Sequence, residues 1–186
     1  MASNNFVSRG GEKLQAAIEN WKLKIKNSTI LDVGSSTGGF VDCLLQNGAA
    51  KVYSVDTSYG ELAWKLRNDP RVVVMERTNI LHLEKLPEKV DLITIDAGWT
   101  KLELVLPVVK KFLKPEGAII ALLKPHYEAP KSILVKGVVP EEKVESIKGQ
   151  VLKEIEDLEF KVEKEMESPI LGGGGNKEYL LLIRSD

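Results

Sequence analysis

"TILDVGSSTGGFVDCLL", residues 29–45, decides the fold. Its first third is a short β-branched and apolar run, its middle is glycine-rich, and its last third carries apolar residues at helical spacing. Strand, tight turn and helix in that order are half of a βαβ unit. The same alternation continues outward along the chain. "KVYSVD" (51–56), "RVVVME" (71–76), "DLITID" (91–96) and "GAIIALLK" (117–124) read as four further strands. Helical patterns fall near 38–47, 60–69 and 100–113, with only a short turn or helix around 79–84. Such alternation predicts an α/β fold, a parallel, doubly wound sheet covered by helices on both faces. Ser58 with Glu61, and Thr100 with Glu103, have the spacing of a helix capping box. Pro107, inside the second of these helices, predicts a kink or a late start.

Beyond residue 140 the pattern changes. Pro140, Glu141 and Glu142 read as a helix first turn, and Val144, Ile147, Val151, Ile155 and Leu158 form a helical stripe. Two strands follow with no helix between them. "FKVEKEME" (160–167) alternates apolar and charged residues, as an edge strand protected from further pairing does. "EYLLLIR" (178–184) is apolar throughout and belongs inside the sheet, antiparallel beside strand five. Seven strands with that ending are the arrangement of S-adenosylmethionine-dependent methyltransferases, a Rossmann-like architecture.

With 186 residues, 43% hydrophobic, the chain is expected to form one domain over 1–186, its first 22 residues a basic arm and helix. A net charge of −1 excludes bulk basicity as a route to nucleic acid, so any polyanion must meet a local patch. The one cysteine, Cys43, sits in "FVDCLL" and reads as a small buried hydrophobe. The polar N-terminus has no apolar signal core, and no run approaches the length of a membrane span. A cytoplasmic protein is expected, with no metal site and an oligomeric state left open.

The glycine turn is where a ligand is expected. Gly34, Gly38 and Gly39 allow close backbone approach, and the following helix begins there with free N–H groups. The order G-S-S-T-G-G departs from the G-x-G-x-x-G of nicotinamide dinucleotide sites. Asp56 ends the second strand, where its two oxygens suit the hydroxyls of a ribose. Together these point to a nucleoside-containing cofactor beyond the carboxyl ends of the strands. Thr78 and Asn79, after strand three, lie at the same sheet edge and within reach of an adenine. Asp96 ends strand four, Lys124 ends strand five, and Glu178 begins the last strand. The assumed strand order brings all three to one edge. Arg9 and Lys13, in "VSRGGEKL" (7–14), read by themselves as a basic arm on a short helix.

The set "VSRGGEKL", "LDVGSSTGGFVDCLLQNGA", "VYSVDTSYGELAWKLRNDPRVVVMERTN", "LITIDAGWT", "LLKPHYE" and "SPILGGGGNKEYLLLIR" resembles the FtsJ-like ribose methyltransferases, within them the TlyA or hemolysin A-like group. The resemblance spans nearly the whole chain. It implies S-adenosylmethionine as cofactor and the ribose 2′-hydroxyl of ribosomal RNA, free or in ribosomal subunits, as target. It places the Lys-Asp-Lys-Glu tetrad on Lys13, Asp96, Lys124 and Glu178. The expected cofactor contacts are Gly34, Ser35, Ser36, Thr37, Gly38, Gly39, Phe40, Asp56, Thr57, Thr78, Asn79 and Asp96. Three departures stand out. An S4-type RNA-binding domain, usual in the family, is expected to be missing ahead of residue 1, "DAGWT" replaces the group's aspartate and Val-Ser-Phe, and Gly172–Gly175 is unusually glycine-rich.

A ribose hydroxyl must lose its proton as it attacks, so a base or an orienting cation is needed. Lys124 is the candidate, either taking the proton or staying charged while Asp96 accepts it. Arg9, Lys13, and Lys131 and Lys136 in the loop 126–139 are the expected RNA contacts, with that loop as a lid and Tyr127 as a stacking ring. Rival readings are a methyltransferase of a small molecule or a protein, and a membrane-active hemolysin-like protein.

Overall fold

A computed structural model describes residues 6–185; the first residues of the expected basic arm, 1–5, and Asp186 lie outside the described residues. The chain runs α1 (Gly10–Trp21), β1 (Thr29–Val33), α2 (Gly39–Gln46), β2 (Lys51–Val55), α3 (Trp64–Arg67), β3 (Val72–Met75), β4 (Val90–Ile95), α4 (Leu102–Lys110), β5 (Leu113–Leu123), α5 (Pro125–Glu128), α6 (Glu141–Asp157), β6 (Phe160–Glu167) and β7 (Tyr179–Ser185). Its seven strands form one sheet in the order β3-β2-β1-β4-β5-β7-β6. All neighbouring pairs from β3 to β5 are parallel, and β7 runs antiparallel to both β5 and β6. This is the Rossmann-like α/β arrangement of S-adenosylmethionine-dependent methyltransferases, with charged β6 at one edge.

Period-two alternation divides the core into two layers. Leu31, Ile93, Ile119 and Leu181 face one side, under α4 and α6. Ile30, Leu92, Ile120 and Leu180 face the other, under α1 and α2. The helical stripe expected on α6 buries Val144, Ile147, Val151 and Ile155, while Leu158 is its half-buried C-cap. Cys43 is fully buried in the α2 layer, as expected.

Local signals misplace three boundaries. The third helix is only Trp64–Arg67 rather than 60–69, because Ser58 and Glu61 do not cap it. The Ser58 N–H donates instead to Asp56 Oδ1 (2.8 Å), and Glu61 accepts from the Ser36 hydroxyl (3.3 Å). The Thr100–Glu103 box is likewise unformed. Lys101 occupies the N-cap of α4, and the Leu102 N–H donates to Glu128 Oε1 on α5 at 3.1 Å, a tertiary cap replacing the local one. α4 starts at Leu102 and runs through Pro107. β5 starts early, at Leu113, with a register shift against β4 before Ala118.

Candidate active site

Gly34 follows β1 with φ +83°, and a β-carbon there would meet the Asp96 carbonyl oxygen at 2.8 Å. Only glycine lets the ends of β1 and β4 close on one another. The loop then folds over Asp56, whose Oδ2 accepts the Ser36 N–H (2.7 Å) while Oδ1 accepts that of Ser58. Each oxygen keeps a further lone pair for a hydroxyl donor. Gly38 is the N-cap of α2.

Two hollows meet at this edge. A cleft of about 550 Å³ is lined by Gly34, Ser36, Asp56, Thr57, Thr78 and Asn79, and also by Asp96 and Lys124. A smaller one, about 230 Å³, lies beneath the starts of α1 and α2 and takes in Lys13, Ser35, Thr37, Gly39 and Phe40. Asp96 lines both. Thr78 and Asn79 hold their own turn: the Thr78 hydroxyl donates to the Glu76 carbonyl, and Asn79 Oδ1 accepts from the Leu81 N–H.

Strand parity brings the charged groups together. Asp96 and Lys124 each lie one residue past β4 and β5, in phase with the residues that face α1, and Glu178 precedes β7 in the same phase. Leu123 pairs with Tyr179, so Lys124 and Glu178 are neighbours across the last ladder. Lys124 Nζ lies 2.6 Å from Asp96 Oδ1, and Lys13, coming down from α1, lies 2.5 Å from Glu178 Oε2. The two pairs differ in solvent access. Lys13 and Glu178 are buried, at 10% and 3% side-chain exposure, whereas Lys124 and Asp96 retain 14% and 23%. A β-carbon on Gly172 would fall on the Glu178 carboxylate, so glycine in this run admits Glu178 to its place.

Several site groups escaped the sequence reading. Asp32, in the middle of β1, is fully buried, and desolvation pushes its carboxyl up to about 7. Its one sequence signal is an acid inside an apolar strand. Trp99, with φ +66°, is 84% exposed, and its ring centroid lies 5.0 Å from that of Tyr127. Glu128, the cap of α4, is buried and also pushed up to about 7. His126, next to Tyr127, is held below the usual imidazole range by burial and then by Lys124 and Lys13. The segment 126–139, expected as a lid, is pinned at its base by Asn176, which accepts from the Val139 N–H and donates to the Gly137 and Gly173 carbonyls.

Residues 6–185 match the FtsJ-like methyltransferase family. The chain belongs to this family. YqxC of Bacillus subtilis, named for rRNA methylation, is 44% identical over 95% of the chain, which spans 64% of that protein. The 16S/23S rRNA (cytidine-2′-O)-methyltransferase TlyA of Mycobacterium tuberculosis is 39% identical over 97% of the chain and is spanned over 69% of its length. A crystal structure from Lactococcus lactis, described as a hemolysin, superposes with a TM-score of 0.94 at 40% identity, covering 99% of this chain and 90% of that one. FtsJ-like membership makes S-adenosylmethionine the cofactor, and the cleft fits it. Asp56 suits the ribose hydroxyls, and Gly34 gives the backbone room.

Proposed function

We propose that the chain catalyses S-adenosylmethionine-dependent 2′-O-methylation of a ribose in ribosomal RNA, through Lys13, Asp96, Lys124 and Glu178. One observation carries this reading: the Lys124–Asp96 pair opens onto the same cleft that Asp56 and the glycine loop enclose. Bound there, S-adenosylmethionine supplies an electrophilic methyl group. The chain's residues supply orientation and a route for the hydroxyl proton.

The division between the two ion pairs supports separate roles for them. Lys13 and Glu178, buried at 2.5 Å, form the inner support that ties α1 to the start of β7. Lys124 and Asp96 are the pair that meets substrate. The ammonium donates to the 2′-oxygen and holds it in line, and Asp96, already 2.6 Å from Nζ, takes the proton directly or through Lys124. Gly34 and Asp56 hold the cofactor.

A third hollow, about 410 Å³ and mostly apolar, lies between Trp99, His126, Tyr127, Leu134 and Gly174, and Lys124 Nζ is 5.6 Å from the centroid of the Tyr127 ring that lines it. An unstacked base fits between such rings, and single-stranded or extruded nucleotides are what aromatic platforms hold. This observation favours RNA over a small molecule or protein as the acceptor. Lys131 and Lys136 on the adjoining loop, and Arg9 across the site, are exposed and suited to phosphate. Among the described residues no helix is long and apolar enough to cross a membrane. We place the activity on rRNA or ribosomal subunits in the cytoplasm.

Lys124→Ala tests the assignment. Methyl transfer should fall on the order of 10²–10⁴-fold, while cofactor affinity changes less than about threefold. Near-normal turnover in that variant would refute the role given to Lys124.

A further inference from the structure

The carboxylate of Asp32 is used by none of the steps above, yet it lies directly under the cofactor loop. It projects from β1 with no exposure. Oδ1 meets the Thr94 hydroxyl of β4 at 2.5 Å, and Oδ2 meets the Ser35 hydroxyl of the glycine loop at 2.7 Å. Thr94 is its register partner on β4, two residues before Asp96, and Ser54 its partner on β2, two residues before Asp56.

Such a triad holds a proton or its absence with equal geometry. Ionised Asp32 accepts from both hydroxyls. Protonated Asp32 donates to one of them, which rotates to accept, and no heavy atom need move. The charged groups facing it decide which form prevails. Asp56 and Asp96 both oppose its ionisation, Asp96 is partly neutralised by Lys124, and burial opposes it most. Three carboxylates thus surround the loop, one of them dry. A cation entering the cleft favours ionised Asp32; a neutral ligand of the same shape does not.

We propose that the Asp32–Thr94–Ser35 triad holds a proton in the free protein and releases it to solvent when a cationic cofactor occupies the cleft, so that proton release separates the sulfonium cofactor from its neutral thioether product. The inference rests on the cofactor reading above. Asp32 acts here through the field beneath the loop and is a positioning residue. Since its free-state value lies near 7, the preference for cofactor over product rises with pH, approaching tenfold per unit below about pH 7 and flattening above it.

The test is titration calorimetry in two buffers of different ionisation enthalpy, which counts protons released on binding. The probes are S-adenosylmethionine, the cationic analogue sinefungin, and the neutral S-adenosylhomocysteine, and the proton count of each is corrected for the ionisation of that ligand's own amino groups, titrated separately. The cationic ligands should release about half a proton more than the neutral one at pH 7. Asp32→Asn should abolish that difference, with Thr94→Val as a second variant expected to reduce it. Equal proton counts for all three ligands on the wild-type protein overturn the inference without touching the cofactor assignment. A difference that survives in Asp32→Asn overturns it too. No binding of any probe would remove the cofactor reading and this inference together.

Discussion

At the scale of single residues, burial decides what each charge does. Lys13 and Lys124 both pair with carboxylates, but only the second retains a route to ligand. Their alanine variants should therefore fail differently. Lys13→Ala strands buried Glu178 and should cost about 3–5 kcal/mol in denaturant unfolding. Lys124→Ala leaves Asp96 half-buried beside a cleft that admits water and should cost less stability than Lys13→Ala, while removing activity. Cys43 illustrates the opposite extreme. Burial first, then Asp42, pushes its thiol up to about 12, so a thiol reagent should label it only on unfolding. Its apolar neighbours in the sequence already said as much. Asp32 was not legible in the same way. An acid within an apolar strand announces that something must compensate it, but Thr94 lies 62 positions away and only the register supplies it.

At the scale of elements, strands were legible and caps were not. Apolar alternation is a property of the strand's own residues, whereas a cap can come from anywhere in space. α4 is capped by Glu128, from α5, instead of by Thr100. Glu128 thereby ties the turn carrying Lys124 and Tyr127 to the loop carrying Asp96 and Trp99. Its folded-state value near 7 stands above the unfolded 4.5, so the proton is bound more tightly in the fold. The stability this confers is full below about 4.5 and is lost as pH rises through about 7, in the same sense as for Asp32. Glu128→Gln, which keeps an acceptor without the charge, should melt higher than wild type at pH 8 and nearly with it at pH 5. Equal shifts at both pH values would remove Glu128 from that role. Gly172→Ala tests another element, the turn before β7. It should displace Glu178 and lower activity at least tenfold while far-ultraviolet circular dichroism stays unchanged.

At the scale of the whole molecule, sheet order converts scattered residues into a site. Asp32, Asp56, Asp96 and Lys124 lie at or near the carboxyl edge of parallel strands, and antiparallel β7 brings Glu178 to the same edge. That convergence followed from the strand pattern once the last strand was placed beside β5. The place of Lys13 did not, because a helix ahead of the first strand has no ladder to fix it. The resemblance to FtsJ-like proteins put it there, and α1 packing over β7 shows the geometry. The hollow beside Tyr127 was also hidden, since Trp99 and Gly174 are distant in sequence and meet only through the loop held by Asn176. With a net charge of −1, the proposed RNA affinity rests on local cations and should fall as salt rises. The central claim is ribose methylation, and its chemistry leaves a specific mark. A 2′-O-methyl group prevents the neighbouring oxygen from attacking its phosphodiester in alkali. Incubation with methyl-labelled S-adenosylmethionine and ribosomal RNA or subunits, followed by alkaline hydrolysis, should place the label in an alkali-resistant dinucleotide. Label recovered in mononucleotides, on a base or on protein would contradict the account.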